Sequence, residues 1–138
     1  MAVVVKGVMT AEDTAIAVAV GVDGVVVSNH GGRQLDGTDG TIEAVAECVE
    51  AASGSKLEVF VDGGFRRGKD VYKALALGAK AVFVGRPALW GLLLAGEAGV
   101  SHGLRLLQNE FVTVMKLMGQ ARADAVESHS VRDRERRF

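Results

Sequence analysis

Val25-Val26-Val27 is the stretch that most restricts the folds open to this chain. Three β-branched residues in succession favour a strand, and no polar residue alternates among them to face water. Such a strand belongs inside a sheet covered on both faces, the usual condition of parallel sheets in α/β proteins. It stops at the loop Ser28-Asn29-His30-Gly31-Gly32-Arg33-Gln34-Leu35-Asp36. Gly31-Gly32 lets the backbone turn sharply and pass close to a ligand. His30 can exchange a proton near neutral pH, and the Arg33 fork matches a carboxylate.

The same unit, an apolar run followed by a helical pattern, recurs along the chain. Val3-Val4-Val5 reads as a first strand ending at Lys6-Gly7. Thr10-Ala11-Glu12-Asp13 resembles a capping box, and its helix is expected to stop at Gly21. A second helix spans about Ile42 to Ala52 and closes at Ser53-Gly54. A third strand, Leu57 to Val61, leads into Asp62-Gly63-Gly64-Phe65-Arg66-Arg67-Gly68 and a helix from about Lys69 to Leu77, stopped by Gly78. A fourth strand, Ala81 to Val84, ends at Gly85-Arg86-Pro87. A short apolar helix around Leu89–Leu94 follows, then a longer one from about Val100 to Met118. On the longer helix Leu104, Leu107, Phe111, Val114 and Met118 form one stripe, expected to dock on the sheet. Residues 127–138 read as a polar, solvated tail, leaving 1–126 as a single domain.

Four strands joined by helices imply right-handed crossovers and a parallel sheet. Lys6, His30, Arg33, Asp62, Arg66 and Arg86 then follow the carboxyl ends of successive strands, where α/β folds build their sites. A base beside a carboxylate receptor suits removal of a proton from a 2-hydroxy acid; a satisfied loop histidine and a solvent-facing arginine fit the spacing of His30 and Arg33 as well. The loops after the third and fourth strands suit a phosphate. Gly63, Gly64 and Gly85 leave backbone N–H groups unobstructed, Arg66 and Arg86 supply charge, and the helix near Lys69 adds its positive end. The alternative is that both arginines pair with Asp62 and Asp70 on the surface. A Walker motif is absent, since Gly68-Lys69 is followed by Asp70.

Composition narrows the partners. A formal net charge of −1 argues against a nucleic-acid footprint or a basic membrane-binding patch. No apolar run approaches the ~18 residues of a membrane span, and Met1-Ala2 lead directly into a strand, so no leader is expected. The one cysteine, Cys48, excludes an internal disulfide and has no zinc-type partner spacing. It reads as a small packing residue, and no metal site is expected.

Val4-Val5-Lys6-Gly7, the His30-Gly31-Gly32-Arg33 loop, Asp62-Gly63-Gly64-Phe65-Arg66-Arg67-Gly68 and Val84-Gly85-Arg86-Pro87 resemble the FMN-dependent 2-hydroxy-acid oxidases and dehydrogenases. That family includes glycolate oxidase, lactate oxidase and flavocytochrome b2. The resemblance runs from Val3 to about Val126, with the motifs in order. It implies a TIM-barrel fold of which this chain is half, four βα units corresponding to strands five to eight. It also implies FMN as cofactor and oxidation of (S)-2-hydroxy acids to 2-oxo acids. Lys6 would lie near the flavin N1/C2 carbonyl, His30 would be the general base, and Arg33 would clamp the substrate carboxylate. Ser28, Asp62, Gly63, Gly64, Arg66, Gly85 and Arg86 would contact the flavin or its ribityl phosphate.

The departures set further expectations. The first half of the fold, expected to be absent from this chain rather than disordered, carries substrate-binding tyrosines and an aspartate that orients the catalytic histidine. The only tyrosine, Tyr72, falls on a helix behind the third strand. A helix-entry proline usual in the family is missing near Asp39-Gly40, which would loosen that loop. A half barrel exposes two edges and an inner face. A second copy or a complementing N-terminal half would close it; otherwise the chain is a non-catalytic half barrel that binds flavin or phosphate, or an assembly module. Arg136-Arg137-Phe138 does not resemble a Ser-Lys-Leu-type peroxisomal address, so the cytoplasm is the default location.

Overall fold

The computed structural model describes residues 1–132, so Asp133–Phe138, half of the expected solvated tail, lie outside the described residues. Strands β1 (Val4–Val8), β2 (Gly24–Val27), β3 (Glu58–Asp62) and β4 (Ala81–Phe83) form one sheet in the order β1-β2-β3-β4. All three pairings are parallel. Helices α1 (Ala11–Val20), α2 (Thr41–Ala51) and α3 (Gly68–Ala76) make the crossovers, and α4 (Arg86–Leu117) follows the last strand.

The local signals act as their chemistry requires. The Thr10 hydroxyl accepts from the Asp13 N–H at 3.2 Å to open α1, and Gly21 closes it at φ 82°. α2 opens without a proline. The Glu43 carboxylate accepts from the Gly40 N–H at 3.0 Å, and the Asn29 side chain donates to the Asp39 carbonyl at 3.1 Å. Two hydrogen bonds therefore tie down the entry that a missing proline was expected to loosen.

Among the described residues, only one face of the sheet carries helices. Val25, Val27, Val59 and Val61 point into that layer, against Ala44, Val45, Cys48 and Ala74. Cys48 is wholly buried there, its thiol directed at the Thr10 carbonyl, and burial pushes its pKa up. It is a packing residue, as its spacing suggested. All of β2 is buried, but its second face is not covered by a helix layer. That other face is formed by Val4, Lys6, Val26, Phe60, Asp62, Ala81 and Phe83, alternating with the helix-facing residues in the strand register. Phe60 and Phe83 meet on it at 5.8 Å between ring centroids. Val4 remains 45% and Phe83 50% exposed, which leaves this face open, as expected of half a barrel.

Two expectations are corrected. β1 does not end at Lys6-Gly7: Lys6 pairs with Val26, the ladder bulges at Gly7 (φ 105°), and Val8 rejoins opposite Val27. A glycine supplies that positive φ without a Cβ penalty, so the strand continues. Where the stripe on the last helix docks, at Phe111, it meets α3 and not the sheet, while Leu104 and Met118 stay nearly half exposed. Gly68 permits this, since a Cβ there would lie 2.1 Å from the Phe111 nitrogen. Tyr72 accordingly packs against Phe111, with ring centroids 6.5 Å apart, rather than only behind β3. The two expected helices both exist within α4, separated by a break at Ala95 (ψ 30°) and Gly96 (φ 55°). The chain doubles back there: a Cβ on Gly91 would meet the Gly99 carbonyl at 2.7 Å, whereas an unbroken helix would put eight residues about 12 Å apart.

Candidate active site

Lys6, placed inside β1 by the bulge, projects from the open face towards the carboxyl ends of β2 and β3. Its ammonium donates to the Ser28 hydroxyl at 2.7 Å and pairs with the Asp62 carboxylate at 2.8 Å. Three consecutive strands thus supply one cation, one hydroxyl and one anion at a common point. Ser28 is buried, and its oxygen also accepts the His30 N–H at 3.2 Å. The second Asp62 oxygen, Oδ1, is buried without a hydrogen-bond partner. An unpaired buried carboxylate oxygen is costly, so Oδ1 is an acceptor awaiting a donor. The Thr41 hydroxyl holds the Asp62 backbone carbonyl, fixing the end of β3 to the start of α2.

The His30 loop forms a single turn of 3₁₀-helix, His30–Gly32. His30 itself sits at φ 57°, the one non-glycine residue of positive φ among the described residues. Such a conformation costs of order 1–3 kcal/mol and tends to mark functional loops. It is held by the bond to Ser28, by Asn29, whose side chain accepts the Gly32 N–H at 3.2 Å, and by Gln34, whose amide lies 3.3 Å from His30 Nδ1. The imidazole is exposed at the rim.

Arg86, the first residue of α4, reaches back across the rim and donates to the Gly31 carbonyl at 2.9 Å. Gly31 is needed twice over, for φ 65° and because a Cβ there would lie 2.5 Å from Arg86 Nη2. Gly64 and Gly85 have open space where a Cβ would stand. Gly63 turns at φ 90° under the Thr41 hydroxyl. Arg66 is exposed beside them.

Lys6, Ser28, Asp62 and His30 are therefore joined directly, and Arg86 is linked to them through Gly31. Arg33 shares the loop, its N–H bonded to the His30 carbonyl at 3.4 Å, with its side chain exposed. The surface pairing weighed for Arg66 and Arg86 does not occur: Asp62 binds Lys6, and Asp70 accepts the backbone N–H groups of Arg66 and Arg67 at 3.1 and 2.9 Å. The expected contribution of the α3 N-terminus is corrected by the same contacts. Asp70 takes those amides, and Glu110 from α4 takes the Gly68 N–H at 2.8 Å. Two carboxylates already occupy that positive end, so phosphate-binding capacity rests on the arginines and the glycine loops. Asn29, Gln34 and Thr41 were missed from the sequence. Asn29 had a legible signal, a side chain able to cap the N–H three residues on; the other two act through contacts that only the folded chain creates.

The family model of FMN-dependent dehydrogenases matches residues 1–133. Glycolate oxidase 1 of Zea mays is 62% identical over 117 residues, 85% of this chain and 31% of that protein. 2-Hydroxyacid oxidase 1 of Mus musculus is 54% identical over 130 residues, 94% of this chain and 35% of the relative. A solved mandelate oxidase with (S)-2-phenylpropionate superposes with a TM-score of 0.88 at 51% identity, covering 93% of this chain and 38% of the other. The chain thus spans about a third of the length of the curated relatives it matches.

Proposed function

The chain belongs to the FMN-dependent dehydrogenase family, and on that premise we propose that it carries the cofactor-and-base half of a site oxidising 2-hydroxy acids to 2-oxo acids. The observation that carries the proposal is the junction of Lys6, Ser28 and Asp62 with the His30 loop hung from it. Glycolate oxidase and 2-hydroxyacid oxidase are the names of its relatives, and the rim chemistry suits that substrate class.

The residues present fit FMN. The unpaired, buried Oδ1 of Asp62 suits a hydroxyl donor, the kind a ribityl chain carries. The open glycines at 64 and 85, with Arg66 and Arg86 beside them, suit a dianionic phosphate. Lys6 would supply the cation that stabilises negative charge on a reduced ring. Bound FMN would supply the electron-pair acceptor. His30 would take a proton from the substrate, and Arg33 would hold its carboxylate; a neutral imidazole is required for the first role, which the hydrogen bond at Nδ1 helps to orient. A second reading, binding of flavin without turnover, is favoured for the isolated chain by its open sheet face, since nothing there excludes water from a bound ring.

Flavin absorbance of the purified protein and a fluorescence titration with FMN test the reading. Changing Arg66 and Arg86 together to Ala removes two charge-assisted contacts worth about 1.5–3 kcal/mol each, enough to weaken FMN by at least about 100-fold. Unchanged affinity would remove the phosphate assignment.

A further inference from the structure

We propose that Asn29 is a positioning residue: its side-chain amide braces the His30–Arg33 turn against the start of α2, where the Asp62-Gly63 loop is also anchored. This rests on the reading of His30 and Arg33 as the groups that meet the substrate, while the brace itself belongs to the chain without any ligand.

The Asn29 amide is engaged at both ends. Its Oδ1 accepts the Gly32 N–H at 3.2 Å, and its Nδ2 donates to the Asp39 carbonyl at 3.1 Å. The Asn29 backbone carbonyl also accepts the Gly32 N–H, at 3.1 Å, so the turn closes even without the side chain. The contact to Asp39 is the one that the side chain alone can make. It spans a loop with little else to hold it. Residues 33–40 contain only turns, bends and irregular backbone, and every one of them is exposed, so no burial fixes where the turn sits relative to α2.

The far end of the brace is a shared anchor. Beside Asp39, the Glu43 carboxylate accepts the Gly40 N–H at 3.0 Å, and the hydroxyl of buried Thr41 donates to the Asp62 carbonyl. A Cβ on Gly63 would stand 3.1 Å from the Thr41 hydroxyl and 3.7 Å from Asn29 Oδ1. The start of α2 therefore ties the loop after β2, through Asn29, to the loop after β3, through Thr41. His30 needs such a tie. Its φ of 57° is disfavoured and its imidazole is exposed, and a strained conformation persists only when its surroundings over-determine it. A displacement of about 1 Å between a base and its substrate can cost about 100-fold in rate.

A purely local cap on the turn is the competing account, and aspartate separates the two. A carboxylate accepts the Gly32 N–H as an amide does, but it has no proton to give the Asp39 carbonyl. Backbone amide NMR relaxation of the ligand-free chain, Asn29→Asp and Asn29→Ala tests the brace, at about pH 8.5, where an ordinary imidazole is neutral. The expected result is added motion over residues 30–40 in both variants, with β2 and α2 unchanged. With FMN bound, both variants should also bind oxalate, a dicarboxylate probe for Arg33, at least about tenfold more weakly than the unaltered chain. An Asn29→Asp protein as rigid over residues 30–40 as the unaltered chain would overturn the brace and leave the cap. Equal oxalate affinity at full flavin occupancy, with the loop loosened, would overturn the positioning role. An unaltered chain that takes up no FMN or no oxalate would remove the catalytic reading and the positioning role with it, while relaxation still decides the brace. Should the variants fail to fold, the unaltered chain decides. Its Asn29 side-chain amide protons should exchange at least about tenfold more slowly than those of exposed Gln108, and equal rates would overturn the brace.

Discussion

Gly31 is the residue on which the rim geometry turns. Its φ of 65° disfavours any side chain, and a Cβ there would displace the Arg86 guanidinium 2.5 Å away. Gly31→Ala is expected to lower stability by about 1–2 kcal/mol from the left-handed backbone alone. It should also push Arg86 off the Gly31 carbonyl and weaken FMN binding, whereas Gly32→Ala, with open space at its Cβ position, should strain the backbone without displacing Arg86. Urea midpoints and FMN titrations of the two variants separate these effects. Tyr72 makes the opposite case. Its hydroxyl is buried without a hydrogen-bond partner, so Tyr72→Phe removes a desolvated group and is expected to leave stability unchanged or raise it by up to about 1 kcal/mol. A clear loss in thermal midpoint would show that the hydroxyl has a partner in solution.

Among the elements, α4 is the one whose placement rests on specific contacts. Glu110 binds Arg67 Nε with both oxygens at 2.9 Å and caps the Gly68 N–H. The Arg67 hydrogen bond, with the Gly68 N–H, holds the Glu110 carboxyl below its ordinary range. A carboxyl whose folded pKa is depressed contributes stability that is complete above its unfolded value, about 4.3, and is lost as pH falls through the lower folded value. Acid should therefore loosen α4 from α3 below about pH 4, and Glu110→Gln should remove that part of the pH dependence while lowering stability at neutral pH. Thermal midpoints measured down the pH series, at low and high salt, check this, because the pair is exposed enough to be screened. Gly68→Ala tests the same junction sterically. A methyl 2.1 Å from the Phe111 nitrogen must displace α4, at an expected cost of about 1–3 kcal/mol or more.

At the scale of the whole molecule, the site is half of an enclosure. His30 has Gln34 at its Nδ1, a neutral amide that can orient the ring but does little to stabilise an imidazolium compared with a carboxylate. The sheet face beside Lys6 is open to water. The 138-residue chain alone is therefore expected to oxidise 2-hydroxy acids very slowly or not at all, even if FMN binds. Addition of a chain supplying the remainder of the family's fold should raise turnover, and His30→Ala should abolish that gain while sparing FMN affinity. Full turnover by the chain alone, lost on His30→Ala, would show that the second half of the enclosure comes from elsewhere, a second copy included.

The sequence by itself determined the βα order, the parallel sheet, the family and most residues of the rim, because these depend on local rules. β-branched runs make strands, Thr10 and Gly21 bound a helix, and glycines mark loops the backbone must turn through. Four motifs in order name a family even when a third of its length is present. Tertiary structure alone decided what those residues touch. Nothing local to Lys6-Gly7 reveals that the strand bulges and continues, which is what brings the ammonium to Ser28 and Asp62 from 22 and 56 positions away in sequence. Nothing local to Lys69 reveals that Asp70 and Glu110 occupy the positive end of α3, since Glu110 arrives on a helix 42 residues beyond Gly68. The stripe on α4 was legible as an apolar face, but which part of it docks, and on what, was not. A periodic pattern states that a face must be covered, and only packing, here at Gly68 against Phe111, settles by what.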